Sequence, residues 1–311
     1  MHHNKWNRAS IMPNRPEILA ATNNRITFKC NVCGRKDFKQ SFPGLIQCNN
    51  CDFITANIAL SAEDIHTLYG TTYFSGEEYV DYVGDKKIIQ KNLCKWLKAI
   101  RRYRDSGVLI EIGSAYGFFL EIAEEHFQAT GYEISEAATD YSNYAINART
   151  YNTDFLDDAN ILPNSVDIVV MWDVIEHLPD PAMVIDKVQN VLKPNGHIFI
   201  TTGDIDSRLA KFQGPSWRMI HPPSHLQYFS KTTLTKLLTS KGFEIVDIKY
   251  PGYWRTLGQI LHGLFILGND TNESIIYKLL LRIVPRRLGV YLNTYDIMLV
   301  NAKLAEKNKK T

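Results

Sequence analysis

From residue 107 onward, short apolar runs alternate with longer segments whose apolar residues recur at helical intervals. GVLIEIG reads as a strand and FFLEIAEEHF as a helix. ATGYEIS is the second strand, followed by a helix through about Arg149. VDIVVMW is apolar on both faces and ends at Trp172–Asp173. PAMVIDKVQNVLKPNG reads as a helix closed by a Pro/Gly turn, HIFITT as the next strand, TLTKLLTSK as a helix and GFEIVDIKY as a further strand. Strands apolar on both faces need cover on both sides, and intervening helices supply it. The pattern therefore predicts an α/β fold with a mostly parallel sheet between two helical layers. Such sheets bind ligands beyond the strand C-termini, near the switch in strand order.

Upstream, the periodicity changes. Ile88, Ile89, Leu93, Trp96, Leu97 and Ile100 have helical spacing, and Ser61 to Tyr69 also looks helical. Between them GTTYFSGEEYVDYVGD is aromatic and glycine-bearing, with Tyr73, Phe74, Tyr79 and Tyr82 as ligand-contact candidates. Further upstream, FKCNVCGRKDFKQSFPGLIQCNNCDFITAN has few apolar residues but places Cys30, Cys33, Cys48 and Cys51 as two CxxC knuckles. Each knuckle turns two thiolates toward one point, and the pair completes a tetrahedral Zn(Cys)4 site with no open position, so a structural Zn2+ is expected. Cys94 lies alone in a helical stretch and reads as a packed thiol. The predicted organisation is a flexible leader (1–27), a zinc ribbon (28–56), a helical and aromatic linker and lid (57–104), and the α/β domain (105–304). A helical insertion occupies 251–292 and a flexible tail 305–311.

Charge narrows the partners. Thirty-five basic against 33 acidic residues leave a formal net charge of +2, without the basic excess expected of a nucleic-acid binder. No signal-type h-region and no 18-residue uncharged apolar run occur, which predicts a cytoplasmic protein. The insertion carries Lys278, Arg282, Arg286 and Arg287 beside an apolar helix from Leu257 to Leu267. Residues 257–290 could thus rest on an anionic membrane at its inner face, form a homodimer interface, or close over the substrate; a lid or interface is the plainer reading.

Chemistry concentrates after the first strand. In EIGSAYG, Gly113 and Gly117 let the backbone pass close to a ligand, and Glu133 after the next strand is spaced to bond ribose hydroxyls. The loop is GxxxG rather than GxGxxG, so the pyrophosphate cradle is missing and a nucleoside without phosphates is favoured. A tight turn with no ligand is the bland alternative.

Taken together, EIGSAYG, GYEIS, NTDFLD, VDIVVMWDVIEHLPDP, LKPNGHIFITT and HLQYFSKTTLTKLLTSKGFE resemble class I S-adenosylmethionine-dependent methyltransferases of the ubiquinone-biosynthesis-like group. The ribbon, YFSGEEYVDY and YLNTYDIMLVNAK resemble methyltransferases of sugar and surface-polysaccharide modification, so the likeness runs from about 28 to 304. It implies a Rossmann-like fold with a mostly parallel seven-stranded sheet. By the resemblance, Glu111, Gly113, Ser114 and Gly117 surround the methionine part of S-adenosyl-L-methionine, with Tyr116 lying over it. Glu133 binds the ribose, Asp154 accepts from the adenine amino group, Phe155 packs on the ring, and Asp173 lies at the amino-acid end.

Methyl transfer from a sulfonium is an in-line displacement for which the protein chiefly supplies positioning. A hydroxyl acceptor also needs a base with a pKa near 7. His177, His221 and His225 are the candidates, His225 first, and each also has a structural reading as a loop-orienting hydrogen-bonder. Trp217 and Tyr228 are expected to line the acceptor pocket, and Glu176 reads as a salt-bridge or turn residue. The expected acceptor is a sugar, sugar nucleotide or glycan, a lipid-linked one included, methylated on oxygen. A quinone precursor or other small molecule, C-methylation of a sugar, or a non-catalytic cofactor-binding module are the alternatives.

Overall fold

The computed structural model describes residues 29–61, 64–65, 68, 82–265, 283–285 and 287–306. The ribbon contributes β1 (Phe38–Gln40), β2 (Leu45–Cys48) and β3 (Ile54–Ala56), and α1 follows at Lys86–Ile100. The α/β domain then runs β4 (Gly107–Ile112), α2 (Phe118–Ala123), β5 (Phe127–Glu133), α3 (Glu136–Asp140), β6 (Thr150–Asn152) and β7 (Val166–Trp172). It continues with α4 (Pro181–Val191), β8 (Leu192–Gly203), α5 (Arg208–Gln213), β9 (Gln227–Tyr228), α6 (Lys231–Ser240) and β10 (Phe243–Lys249). Last come β11 (Tyr253–Thr256), α7 (Leu257–Phe265), β12 (Gly289–Leu292) and β13 (Ile297–Leu304).

Seven strands form the main sheet in the order β10-β13-β8-β7-β4-β5-β6. β4 through β8 pair in parallel, and β13 enters antiparallel between β8 and β10. The expected mostly parallel seven-stranded sheet is the one observed. β7 shows why: Val166 to Met171 are all buried, because helices cover both faces. The chain leaves β4 for β5 on one side, while β7 lies on the other. The loops after β4 and β7 therefore diverge and open a crevice at their carboxyl ends.

Local signals set the helix starts. Asp180 caps α4 by accepting the Met183 amide at 2.9 Å, with Pro181 in the first turn. Ser230 and Thr233 form a reciprocal capping box on α6. Other boundaries moved. α2 ends at Ala123, and α3 continues as a π-helix over Tyr141–Ile146 that stops at Asn147, whose φ is 63°.

Two features add detail to the expected organisation. The ribbon sheet reaches beyond residues 28–56: β3 pairs with β9, so its order is β1-β2-β3-β9 and it includes residues 227–228. The insertion, residues 251–292, carries β11 and β12 as an antiparallel pair, and α7 follows β11. Its middle, including Lys278 and Arg282, lies outside the described residues, as do Arg286, Tyr73, Phe74 and Tyr79, the leader and residues 307–311. Among the described residues no helix is long and apolar enough to cross a membrane.

Candidate active site

The glycine loop turns through left-handed residues packed tightly against neighbouring elements. Gly113 and Gly117 have φ values of 71° and 74°, and Ala115 between them is also left-handed at 45°. A Cβ on Gly113 would sit 2.6 Å from the Val174 side chain, and one on Gly117 would sit 2.2 Å from Ser142 Oγ. The Gly113 and Ser114 amides donate to the Tyr132 carbonyl at 2.8 and 3.2 Å. Glu133 fixes the loop from the next strand, its carboxylate accepting the Ala115 and Ser135 amides at 2.9 Å each. Burial raises its pKa nonetheless, against the pull of those amides.

Beside this loop, polar groups are buried without partners. Glu111 is 3% exposed, and its Oε2 receives no hydrogen bond; Ser114 Oγ is likewise buried and unpartnered. Burial, then the nearby Glu133 carboxylate, pushes Glu111 well above the usual carboxylate range. A buried carboxylate pair beside this glycine loop fits a cationic ligand with hydroxyls, which an ammonium- and sulfonium-bearing nucleoside would provide. The cofactor candidates Glu111, Gly113, Ser114, Gly117 and Glu133 come together here.

The other candidates divide. Tyr116 stacks on Tyr141 with centroids 4.6 Å apart, and Tyr82 meets it edge-on at 5.2 Å, so an aromatic wall stands at the loop. Asp154 is exposed, and its Oδ1 accepts the Leu156 amide at 2.8 Å. Phe155, expected against an adenine ring, turns inward: it is 2% exposed, packs edge-on against Tyr132 and carries Lys187 over its face.

The second half of the site follows β7. Asp173 has a left-handed φ of 55°, and its amide donates to the Thr201 hydroxyl and carbonyl at 2.8 and 3.1 Å. A non-glycine residue in this conformation at a strand end is a frequent mark of a functional turn. Its side chain is accessible, yet desolvation by surrounding protein raises its pKa against the pull of Thr201, Arg255 and Arg218. Its carboxylate is thus accessible to solvent yet closely surrounded by protein.

His177 and His225 meet edge-on at 4.6 Å, and His221 lies 3.9 Å from His225. The Nδ1 of His177 bonds the Ser224 carbonyl at 2.8 Å, and that of His225 bonds the Met219 carbonyl at 2.8 Å. A carbonyl only accepts, so in each ring Nδ1 carries the proton and Nε2 is the basic nitrogen of the neutral form. Glu176 shares the cluster, with a ligand-type atom of each of Glu176, His177 and His225 within 4.8 Å of the others. Burial, then His221 and His177, pushes the His225 pKa well below its ordinary value. Burial, then Asp173, pushes Glu176 up to about 8.

All three histidine candidates are therefore brought together, but not on equal terms. His225 is 6% exposed, whereas His177 and His221 are only partly buried and are better placed to reach an acceptor. Among the described residues Glu176 forms no salt bridge and its carboxylate oxygens are buried without a hydrogen-bond partner; its backbone serves the turn, its carbonyl accepting the Leu226 and Gln227 amides. Trp217 and Tyr228 do not line the pocket. They are 2% and 3% exposed, Trp217 donating to Asp296 at 2.8 Å and Tyr228 to the His225 carbonyl at 2.9 Å. Sequence reasoning missed Tyr253, whose buried phenol is raised by desolvation and by Asp173; no motif in the insertion signalled it.

The four ribbon cysteines converge as the spacing predicts. Their sulfurs lie within 4.8 Å of one another, with Cys30–Cys51 and Cys33–Cys48 each at 3.5 Å. A tetrahedron with metal–sulfur bonds of about 2.3 Å has edges of about 3.8 Å, so the sulfur set fits one tetrahedral ion. Burial pushes the Cys30 thiol up to about 11, and a bound cation would offset that cost of holding thiolates there.

Comparison with known proteins agrees with this geometry. A family model described as a methyltransferase domain matches residues 86–248. A 118-residue stretch is 24% identical to the ubiquinone biosynthesis O-methyltransferase of Cupriavidus pinatubonensis, covering 36% of this chain and 45% of that protein. A 110-residue stretch is 32% identical to an S-adenosylmethionine-dependent methyltransferase of Mycolicibacterium smegmatis, covering 35% of this chain and 37% of that protein. The chain thus spans less than half the length of these two relatives. Among solved structures, a methyltransferase of Bacillus halodurans C-125 superposes with a TM-score of 0.51 at 14% identity, covering 69% of this chain and 99% of that one. A chain of the complex between the Haloferax volcanii Trm112 methyltransferase activator and a methyltransferase gives 0.51 at 12%, covering 79% and 100%. At these identities the fold alone is shared.

Proposed function

The chain belongs to the methyltransferase-domain family, whose model spans residues 86–248, and on that premise we propose that it transfers a methyl group from S-adenosylmethionine to a hydroxyl oxygen of a small molecule. The observation that carries this reading is the pairing of two half-sites across β4 and β7: the unpartnered Glu111 Oε2 and Ser114 Oγ at the glycine loop, and the Asp173–Glu176–histidine cluster after β7. Bound S-adenosylmethionine supplies an electrophilic methyl on a sulfonium. Glu111 and Asp173 face its positive groups, and Glu133 accepts from its ribose hydroxyls. His177 takes the acceptor proton on Nε2, its ring held by the Ser224 carbonyl and by His225 behind it. The ribbon holds a structural zinc on Cys30, Cys33, Cys48 and Cys51.

The imidazole environment favours an acidic hydroxyl. Burial, then His221 and His177, makes His225 a weakened base. A phenol, with a pKa near 10, gives up its proton to such a cluster more readily than an aliphatic alcohol does. The O-methyltransferase activity of the ubiquinone-biosynthesis relatives points the same way. A phenolic, quinone-precursor-type acceptor is therefore preferred to a sugar hydroxyl, and the inward turn of Trp217 and Tyr228 removes one expected surface for a sugar ring.

The test is methyl-labelled S-adenosylmethionine with host lipid, quinone, sugar-nucleotide and polysaccharide fractions, the label followed by mass. Label in a phenolic fraction supports the preferred acceptor, and label in a sugar fraction moves it to an alcohol. On the acceptor so found, His177→Gln should lower kcat by about 10²–10⁴ and flatten the rise of kcat with pH. A normal rate and pH profile in that variant would rule out His177 as the base.

A further inference from the structure

We propose that the cysteine ribbon is a positioning element of the acceptor site, holding through β3 the backbone that carries His225 and Glu176. The inference rests on the acceptor reading of residues 173–177 and 221–225, and assigns a role to the segment which that reading leaves as a mere structural appendage.

The path is continuous and made of named bonds. In the second knuckle the Cys48 amide donates to the Phe53 carbonyl at 2.8 Å and the Asp52 amide to the Cys48 carbonyl at 3.0 Å, Asp52 being left-handed with a φ of 63°. That turn delivers β3, which pairs with β9 so that Ile54 faces Tyr228 and Thr55 faces Gln227. The carbonyl of Leu226, the residue after His225, accepts two bonds from this stretch: the Ala56 amide at 2.8 Å and the Thr55 hydroxyl at 3.0 Å. From the same segment, the Leu226 and Gln227 amides donate to the Glu176 carbonyl at 2.8 and 2.9 Å. The Gln227 side chain bonds the Leu178 and Pro179 carbonyls, and Asn31 of the first knuckle also donates to Pro179 at 3.3 Å.

A strand of two residues thus receives bonds from the ribbon and gives bonds to the turn bearing Glu176 and His177. So short a strand has no further pairings to keep its register if β3 shifts. Apolar contacts reinforce the link: Leu45 and Ile54 share a core with Trp217, Leu226 and Tyr228, and Phe53 meets Phe229 at 5.1 Å. The cofactor half is held differently. The Gly113, Ser114 and Ala115 amides are bound by Tyr132 and Glu133 of β5. The ribbon's Cys30, Val32, Cys48, Cys51 and Phe53 do share an apolar core with Ile110, Ile112 and Tyr132. Its hydrogen bonds to the α/β domain, however, run to Leu226 and Pro179, so loosening the ribbon acts first on the acceptor half.

Hydrogen–deuterium exchange on the full chain tests this, comparing the zinc-loaded protein, the chelator-stripped protein, Thr55→Val and Thr55→Ser. Thr55→Val removes one buried donor to Leu226 while keeping shape, so amides in 225–228 should exchange about five- to tenfold faster. Thr55→Ser restores the hydroxyl and should restore protection. Stripping should speed exchange in 219–229 and 174–179, while 109–117, 129–135 and S-adenosylmethionine affinity stay within about twofold. Unchanged protection of 219–229 on stripping would overturn the proposal. So would an equal rise in 109–117 with loss of cofactor affinity, which would make the ribbon a general support of the fold. The exchange readout needs no turnover: if the loaded chain binds no S-adenosylmethionine, the methyltransferase reading falls while the exchange comparison still decides the coupling.

Discussion

Glu111 offers a test in which stability and binding should move in opposite directions. It is 3% exposed, its Oε2 has no hydrogen-bond partner, and burial followed by Glu133 raises its pKa well above 4.5. A carboxyl whose folded pKa lies above its unfolded one binds its proton more tightly when folded. Its contribution is thus favourable below pH 4.5 and is lost as pH rises through the folded value. Glu111→Gln keeps the shape and removes the charge. At pH 7.5 the unliganded variant should be more stable by about 1–3 kcal/mol, the usual cost of a buried polar group left unsatisfied. For a domain of this order that raises the melting midpoint by about 2–10 °C. The gain should shrink toward zero as pH falls to 4.5, where wild type is protonated as well. Binding should move the other way: a lost charge-assisted hydrogen bond of about 1.5–3 kcal/mol weakens S-adenosylmethionine by about 10–100-fold. Ligand-free melts from pH 4.5 to 8 and calorimetric titration at pH 7.5 supply both readings. A lower midpoint at pH 7.5, or a difference that does not change with pH, would refute the picture of an uncompensated buried carboxylate.

Two glycines separate backbone strain from steric overlap. Gly44→Ala meets nothing within 4 Å and should cost only the left-handed conformation, about 1–2 kcal/mol. Gly117→Ala adds the overlap with Ser142 and should cost about 1–3 kcal/mol more; urea unfolding of the pair measures the gap, and equal losses would contradict it. Asp296 is fully buried and accepts from Trp217, Arg218 and Thr294, so Asp296→Ala should destabilise by about 3 kcal/mol in thermal or urea melts. Burial alone would raise the Asp296 pKa, but Arg218, Thr294 and Trp217 hold it below 3.8. Its stabilisation is therefore present above pH 3.8 and lost as pH falls through the folded value, so Asp296→Ala and wild type should converge in acid. Finally, elemental analysis of the purified chain should find one zinc, and Cys51→Ser should lose it together with the protection of residues 219–229.

Much was legible from the chain alone because it is written locally. The alternation of apolar runs and helical periods in 107–250 specified the covered parallel sheet, since strands buried on both faces cannot be polar on either. Two CxxC pairs specified a convergent sulfur set, and Gly113, Gly117 and Glu133 specified a tight glycine turn braced by an acid. Tertiary structure alone decided what depends on distant neighbours. The bond from Thr55 to Leu226 spans 171 positions, and no local pattern announces that a ribbon strand will pair there. Aromatic residues pack equally well in a core or against a ligand, so the inward turn of Phe155, Trp217 and Tyr228 was fixed by the elements that cover them. Glu176 reads as an ordinary turn acid until the sheet and histidine loop close over it and leave its carboxylate without a donor. Spacing along the chain set which groups could meet; burial, which follows from long-range packing, set their protonation and which of them face the cleft.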